Sequence, residues 1–168
     1  MASAPPVAPS SFWDFSLQLY VRPGVADSCL QLQDEQGVNV NLLLWCAWLD
    51  AQDLILDAGR LHSAQKRIHG WDEHYVLPLR QLRRRMKAEF GTTNADIEAL
   101  RTQIKQAELL AEKQVQLLLE SELSTWHKEV DPAVDSSADW SNVRFYLHHL
   151  SVTEATIARL LELFAVDC

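Results

Sequence analysis

Only five glycines and six prolines punctuate this chain of 168 residues, and three of the prolines fall within the first nine. Strand-rich folds need turns at intervals of roughly 8–12 residues, and those turns draw on Gly and Pro. A chain so poor in both is committed to long helices. Its length suits one domain, burying about two thirds of the surface that the unfolded chain exposes. The expected architecture is therefore all-α, a single-domain helical bundle of about six or seven helices over 11–168. A disordered Pro/Ala/Ser-rich leader over 1–10 precedes it.

Local signals place the elements. Ser11 with Asp14 resembles a capping box, and Phe12, Phe15 and Leu19 follow at helical spacing until Pro23 and Gly24 stop the helix. A second helix over about 25–36 turns Cys29 and Leu32 inward and ends at Gly37. The stretch GVNVNLLLWCAWLD opens with strand-like alternation. Its unbroken apolar run, with no turn residue before Gly59, instead predicts a helix over 38–57. At about 100° per residue, Asn41, Trp45, Trp48, Gln52 and Ile55 share one side, and Asn39, Cys46, Asp50, Asp53 and Asp57 the other. The first half of that helix reads as the most buried part of the fold.

A long helix or kinked pair over 61–89 keeps Ala64, Ile68, Trp71, Tyr75, Leu79, Leu82 and Met86 on one face. Lys66, His69, Arg80, Arg83, Arg84 and Lys87 lie opposite, and Gly70 and Pro78 are the expected bends. After a Gly91-Thr92-Thr93 turn, Thr93 caps the next helix with help from Asp96, and Ile97, Leu100, Ile104, Ala107 and Ala111 line its inner face. Running to about His127, roughly 48 Å at 1.5 Å per residue, that helix pairs with its predecessor as a long antiparallel helical hairpin over roughly 61–127. A loop over 130–139 leads to C-terminal helices over 140–166. Asp139 or a neighbour caps the first of these, and a Ser151–Glu154 capping box starts the second.

Charge narrows the function classes. The formal net charge is −8. Up to Ala88, nine Asp or Glu balance nine Lys or Arg, whereas from Glu89 onward fourteen face six. Nucleic acid is a poor match for so acidic a chain, because neutralising phosphates requires a basic face. Cys29, Cys46 and Cys168 form no CxxC pair and read as buried thiols of a reducing compartment. The N-terminus lacks the basic start and apolar core of a signal peptide, and no stretch approaches about eighteen consecutive apolar residues. The expected location is cytoplasmic, with no membrane partner.

No catalytic residue, metal site or cofactor emerges. GxSxG, P-loop, HExxH and paired Glu-x-x-His patterns do not occur. Asp50, Asp53 and Asp57 have the helical spacing to hold Mg²⁺ through phosphates, but without a second acidic motif a solvated helix edge is the better reading. His62 and His69 lie too far apart for easy chelation, His69 and His74 diverge, and so do His148 and His149.

Arg80, Arg83, Arg84 and Lys87 form a stripe that suits an acidic protein partner or, less well, phosphates. The better reading of the stripe itself is internal, with its charges met within the hairpin by Glu98, Glu108, Glu112, Glu120 and Glu122. Of six tryptophans, Trp45, Trp48 and Trp71 sit on apolar faces, which favours core packing. The alternative is a pocket for an apolar metabolite, lined by these three and oriented by Asn41 and Tyr75.

Three blocks, FWDFSLQLY, LQLQDEQGVNVNLLLWCAWL and WDEHYVLPLRQLRRRMK, resemble a small family of uncharacterised proteobacterial proteins with pseudomonad members, a domain of unknown function. The resemblance covers most of the chain after the leader. It implies a bacterial cytosolic protein and supplies no reaction, ligand or catalytic residue. The expectation is a non-catalytic protein-interaction or regulatory module that uses the hairpin and its basic stripe. A small enzyme or carrier with a Trp-lined pocket is the alternative, and homodimerisation through the hairpin stays open.

Overall fold

The computed structural model describes residues 11–126 and 140–165, so the expected leader over 1–10 and loop over 130–139 lie outside the described residues. Among the described residues every element is helical, forming an all-α fold of seven helices when 58–90 is counted as one continuous run. The chain divides into two compact units, Met1–Asp57 with Glu129–Cys168 and Ala58–Lys128.

The first unit is built around a short buried helix. Helix α1, Phe12–Tyr20, opens with the expected cap, as the Asp14 N–H donates to Ser11 Oγ at 3.1 Å and Ser11 Oγ–H donates to the Asp14 carboxylate at 2.8 Å. Helix α2, Val25–Gln36, lies between Gly24 at φ 81° and Gly37 at φ 67°. Both occupy the left-handed region, which Gly enters without steric cost. Helix α3, Val40–Asp50, buries every residue from Asn41 to Asp50, as a helix that is apolar all round must. It packs against α1, α2 and α6, Ser141–His149. Phe12 stacks on Trp48 with ring centroids 5.4 Å apart, and each large side chain buried here contributes about 1.5–3 kcal/mol. Helix α7, Glu154–Ala165, rests on α2, where a Cβ on Gly24 would come within 3.3 Å of Leu163.

Three local expectations are corrected in this unit. Helix α3 starts at Val40 because Asn39 is its N-cap, its side chain accepting from the Leu42 N–H at 3.2 Å. It ends at Asp50 and does not continue to residue 57. The Leu54 N–H donates to the Leu49 carbonyl at 3.0 Å and the Asp53 N–H to the Asp50 carbonyl at 3.2 Å, around Asp53 at φ 55°. This is a Schellman stop with aspartate in the left-handed position that glycine usually fills. For α7 the capping hydroxyl is that of Thr153, which accepts from the Thr156 N–H at 3.4 Å, while Ser151 sits at φ 60°.

The second unit is the hairpin. Helix α4 covers 58–90 as α-helical Ala58–Trp71, a π-helical turn Asp72–Val76 and α-helical Leu77–Phe90. Helix α5, Ala95–Glu122, runs back along it and closes with a 3₁₀ turn, Leu123–Thr125. Asn94, and not Thr93, caps α5, accepting from the N–H groups of Asp96 and Ile97 at 3.1 and 3.2 Å. Glu122 near its far end accepts from Ser63 Oγ at 2.5 Å and from Arg67. Arg60 lies over the Trp126 ring at 4.4 Å, a cation–π contact.

The π turn resets the face that α4 presents. The Leu77 N–H donates to the Asp72 carbonyl five residues back, and Pro78 follows, without an N–H and with a ring that crowds the carbonyl four residues earlier. The extra residue rotates the helix by about 100°. Ala64 and Ile68 are buried as expected, but beyond the turn Val76 is 0% exposed while Tyr75 is 52% exposed. Helix α5 answers with Ile104, Glu108, Ala111, Val115 and Leu119 inward, so Glu108 takes the place expected for Ala107, and Leu100 faces solvent.

Candidate functional site: an arginine–carboxylate cluster beside the π turn

With the register shifted, Arg80 and Arg83 point at α5. Arg80 donates through Nε to Glu108 Oε1 at 3.1 Å and through Nη2 to Glu112 Oε1 at 2.6 Å. Arg83 donates through Nε to Glu108 Oε2 at 2.5 Å and through Nη2 to Oε1 at 3.1 Å. Glu108 thus receives a bidentate fork from one arginine and a third bond from the other, the geometry in which guanidinium pairing is strongest. Its side chain is only 7% exposed.

Asp72, in the π turn, completes the cluster electrostatically. Burial pushes the Glu108 carboxyl up, but hydrogen bonds from Arg83 and Arg80 outweigh it and hold the group below its ordinary value. For Glu112 burial wins. Its pKa is raised despite Arg80, because Glu108 and Asp72 add like charge nearby. Burial likewise raises Asp72, against Arg80 and His69. Arg80 is held above its ordinary value, since Glu112 and Glu108 offset the burial that would lower it. Three carboxylates share two arginines, so the acids have unequal proton affinities, a pattern that marks functional sites as well as structural networks.

Asp72 yields a directional test. The folded state holds its proton to higher pH than the unfolded chain, so ionised Asp72 costs stability once pH exceeds the folded pKa, and the cost vanishes below the ordinary value of 3.8. Asp72→Asn should therefore melt about 1–3 °C higher than the parent near pH 7, with the difference closing as pH falls below that value. A melting temperature lowered at pH 7 would contradict the assignment.

The expected stripe divides. Arg80 and Arg83 bond to the acids of α5 inside the hairpin, and Arg84, Arg85 and Lys87 are solvent-exposed. Lys87 helps to hold Glu98 below its ordinary value, after the larger effect of the Arg101 hydrogen bond. Phe90 near the end of α4 is 52% exposed.

The residues of the expected Trp-lined pocket also divide. Asn41, Trp45 and Trp48 are core residues of the first unit, at 7, 0 and 5% exposure, and the buried Trp48 Nε1–H finds no acceptor among the described residues. Trp71 and Tyr75 belong to the second unit. Their rings meet at 4.4 Å, and Trp71 Nε1–H donates to the Ala111 carbonyl at 2.9 Å.

The aspartate triplet is not a helical face. Asp50 is buried against α6, Asp53 terminates α3, and Asp57 follows the helix. Among the described residues no three His, Cys, Asp or Glu side chains gather as a metal site. Burial pushes the Cys29 thiol up to about 12 and holds Cys46 well above its ordinary value, so neither is an activated nucleophile.

The family model described as "Protein of unknown function (DUF2390)" matches residues 11–119. That range includes all three sequence blocks and the whole Asp72–Arg80–Arg83–Glu108–Glu112 cluster. No curated protein and no solved structure matches the chain.

Proposed function

We propose a function for this chain, which belongs to the DUF2390 family of proteins of unknown function: a non-catalytic protein-interaction module of the bacterial cytoplasm that docks an acidic protein surface on the C-terminal end of α4. The observation that carries this reading is the exposed set Arg84, Arg85 and Lys87 next to exposed Phe90. Planar arginine forks and an aromatic side chain are the groups that protein interfaces favour.

Charge is partitioned in the same sense. Ala58–Lys128 holds twelve Lys or Arg against nine Asp or Glu, and the remainder of the chain three against fourteen. Exposed Glu89 and Asp96 near the same end of the hairpin disfavour phosphate chains, which need an unbroken basic face.

Affinity capture from bacterial lysate tests the proposal. The parent should recover a defined partner whose yield falls with added salt, and Arg84→Glu/Arg85→Glu/Lys87→Glu should lose it while melting as the parent does, since exposed substitutions change stability by no more than about 0.5 kcal/mol. Equal recovery by the variant would contradict the proposal. So would a partner that proves to be nucleic acid.

A further inference from the structure

Two sets of side chains on α4 compete for the same inward positions. Counted from Ala64, Ile68 and Trp71, an uninterrupted α-helix brings Tyr75, Leu79, Leu82 and Met86 to the face that meets α5. The extra residue of the Asp72–Val76 turn hands the first three of those positions to Val76, Arg80 and Arg83, while Lys87 at the fourth is exposed. The outcome is a compromise. Val76 is buried and the two arginines are paired, but Tyr75 is 52% and Leu77 36% exposed, while Leu79, Leu82 and Met86 are only partly covered.

We infer that the π turn is a register switch. When it relaxes to α geometry, the segment 77–90 rotates by about 100°. Tyr75, Leu79, Leu82 and Met86 then take the inward positions. Arg80 and Arg83 leave Glu108 and Glu112 and join Arg84, Arg85 and Lys87 at the surface. This rests on the docking role proposed above and supplies its regulation, because carboxylates of an acidic partner replace Glu108 and Glu112 as the arginines' acceptors.

Three features support two accessible registers. Single π turns in α-helices occur often where helices carry function. Pro78 withholds an N–H from both registers, so exchange breaks few backbone bonds. The carboxylates also crowd the present register, since Glu108 and Glu112 meet Arg80 at one point of the hairpin and, after burial, Glu108 and Asp72 add to what raises Glu112. The arrangement is a two-state element whose balance a partner's differential binding can move.

Deleting His74, an exposed residue of the turn, removes the extra residue from the full chain and lets an unbroken α-helix carry Val76, Arg80 and Arg83 inward, so it locks the resting register. Glu108→Gln keeps every residue but weakens the hold on both arginines. Tyrosine nitration mapped by mass spectrometry reads the register, with buried Tyr146, 2% exposed, as the internal reference.

In the parent Tyr75 should react as an exposed tyrosine. In Glu108→Gln its reactivity should fall towards that of Tyr146, and in Glu108→Gln combined with the His74 deletion it should stay at the parental value. Unchanged Tyr75 reactivity in Glu108→Gln overturns the inference, as does an equal fall in the combined variant at parental helicity. If the deletion does not fold, Glu108→Gln alone decides, with unchanged reactivity as the contrary result. Nitration requires no partner, so its outcome is independent of the capture experiment. Protection of Tyr75 with undiminished capture by the triple charge-reversal variant would retain the switch and reject the docking surface.

Discussion

Replacing Asp50 by alanine should cost about 3–5 kcal/mol, because two buried backbone N–H groups lose their acceptor at about 1–3 kcal/mol each and a helix N-terminus loses its counter-charge. The Asp50 carboxylate, on a residue 4% exposed, accepts from the N–H of Asn142 at 2.9 Å and of Val143 at 3.2 Å, with Ser141 Oγ at 3.4 Å. Asp50 therefore caps α6 from more than ninety residues away in the chain.

Its neighbour Asn142 closes the same joint, donating to the Leu54 carbonyl at 2.6 Å and accepting from the Leu56 N–H at 2.8 Å. Trp140, at φ 49°, supplies no side-chain cap of its own. Asp50→Asn keeps one acceptor and should lose about half as much. Urea unfolding followed by the fluorescence of Trp45 and Trp48 checks both values. Parental stability in the alanine variant would show that this cap does not hold the first unit together.

Glu108→Ala should be the most damaging change in the hairpin, about 2–4 kcal/mol. Removing one member of a buried ion-pair network strands the other charges, and the value lies somewhat below the fully buried range of about 3–5 kcal/mol because Arg80 and Arg83 retain 16 and 24% exposure. Replacing the whole set, Asp72→Asn/Arg80→Met/Arg83→Leu/Glu108→Leu/Glu112→Gln, should be nearly neutral or stabilising, since no desolvated charge remains.

The pH dependence has a definite sign. Glu108 is held below its ordinary value of 4.5. Its contribution is complete above that value and is lost as pH falls through the lower folded pKa. Asp72 and Glu112 act in the opposite sense, their ionisation costing stability as pH rises through their raised folded values. A Glu108→Ala protein as stable as its parent at pH 7 would mean the arginines find equal partners elsewhere.

Much of the fold was legible because helix signals are local. Ser11 with Asp14, Gly24 and Gly37 mark boundaries through backbone needs that a few residues express, and the apolar run Leu42–Leu49 announces a buried helix whatever surrounds it. Boundaries failed where an unusual residue did a common job. Asp53 ends α3 in a left-handed conformation without glycine, Asn39 caps α3 from within the span expected to be helical, and Asn94 caps α5 one position after the expected Thr93.

The cap on α6 was invisible for another reason. Its acceptor belongs to a distant segment, and no local pattern encodes a contact of that range. The candidate site was half legible. Helical spacing identifies Arg80, Arg83, Arg84 and Lys87 as a group, and Glu108 and Glu112 as acids within reach. Which arginines turn inward depends on one inserted residue in a turn whose only sequence mark is Pro78, four positions after His74. A strict 3.6-residue count placed Tyr75 where Val76 sits, and that single step separates an outward basic stripe from an internal ion-pair cluster.

The central claim is that Arg80 and Arg83 belong to this cluster in the resting protein and that the surface cations are Arg84, Arg85 and Lys87. Site-resolved titration of the side-chain carboxyl carbons tests it most directly. Glu108 should titrate below 4.5 and Asp72 above 3.8, with Arg80→Gln/Arg83→Gln raising the Glu108 midpoint. Ordinary midpoints at both positions, unmoved in the double variant, would contradict the account.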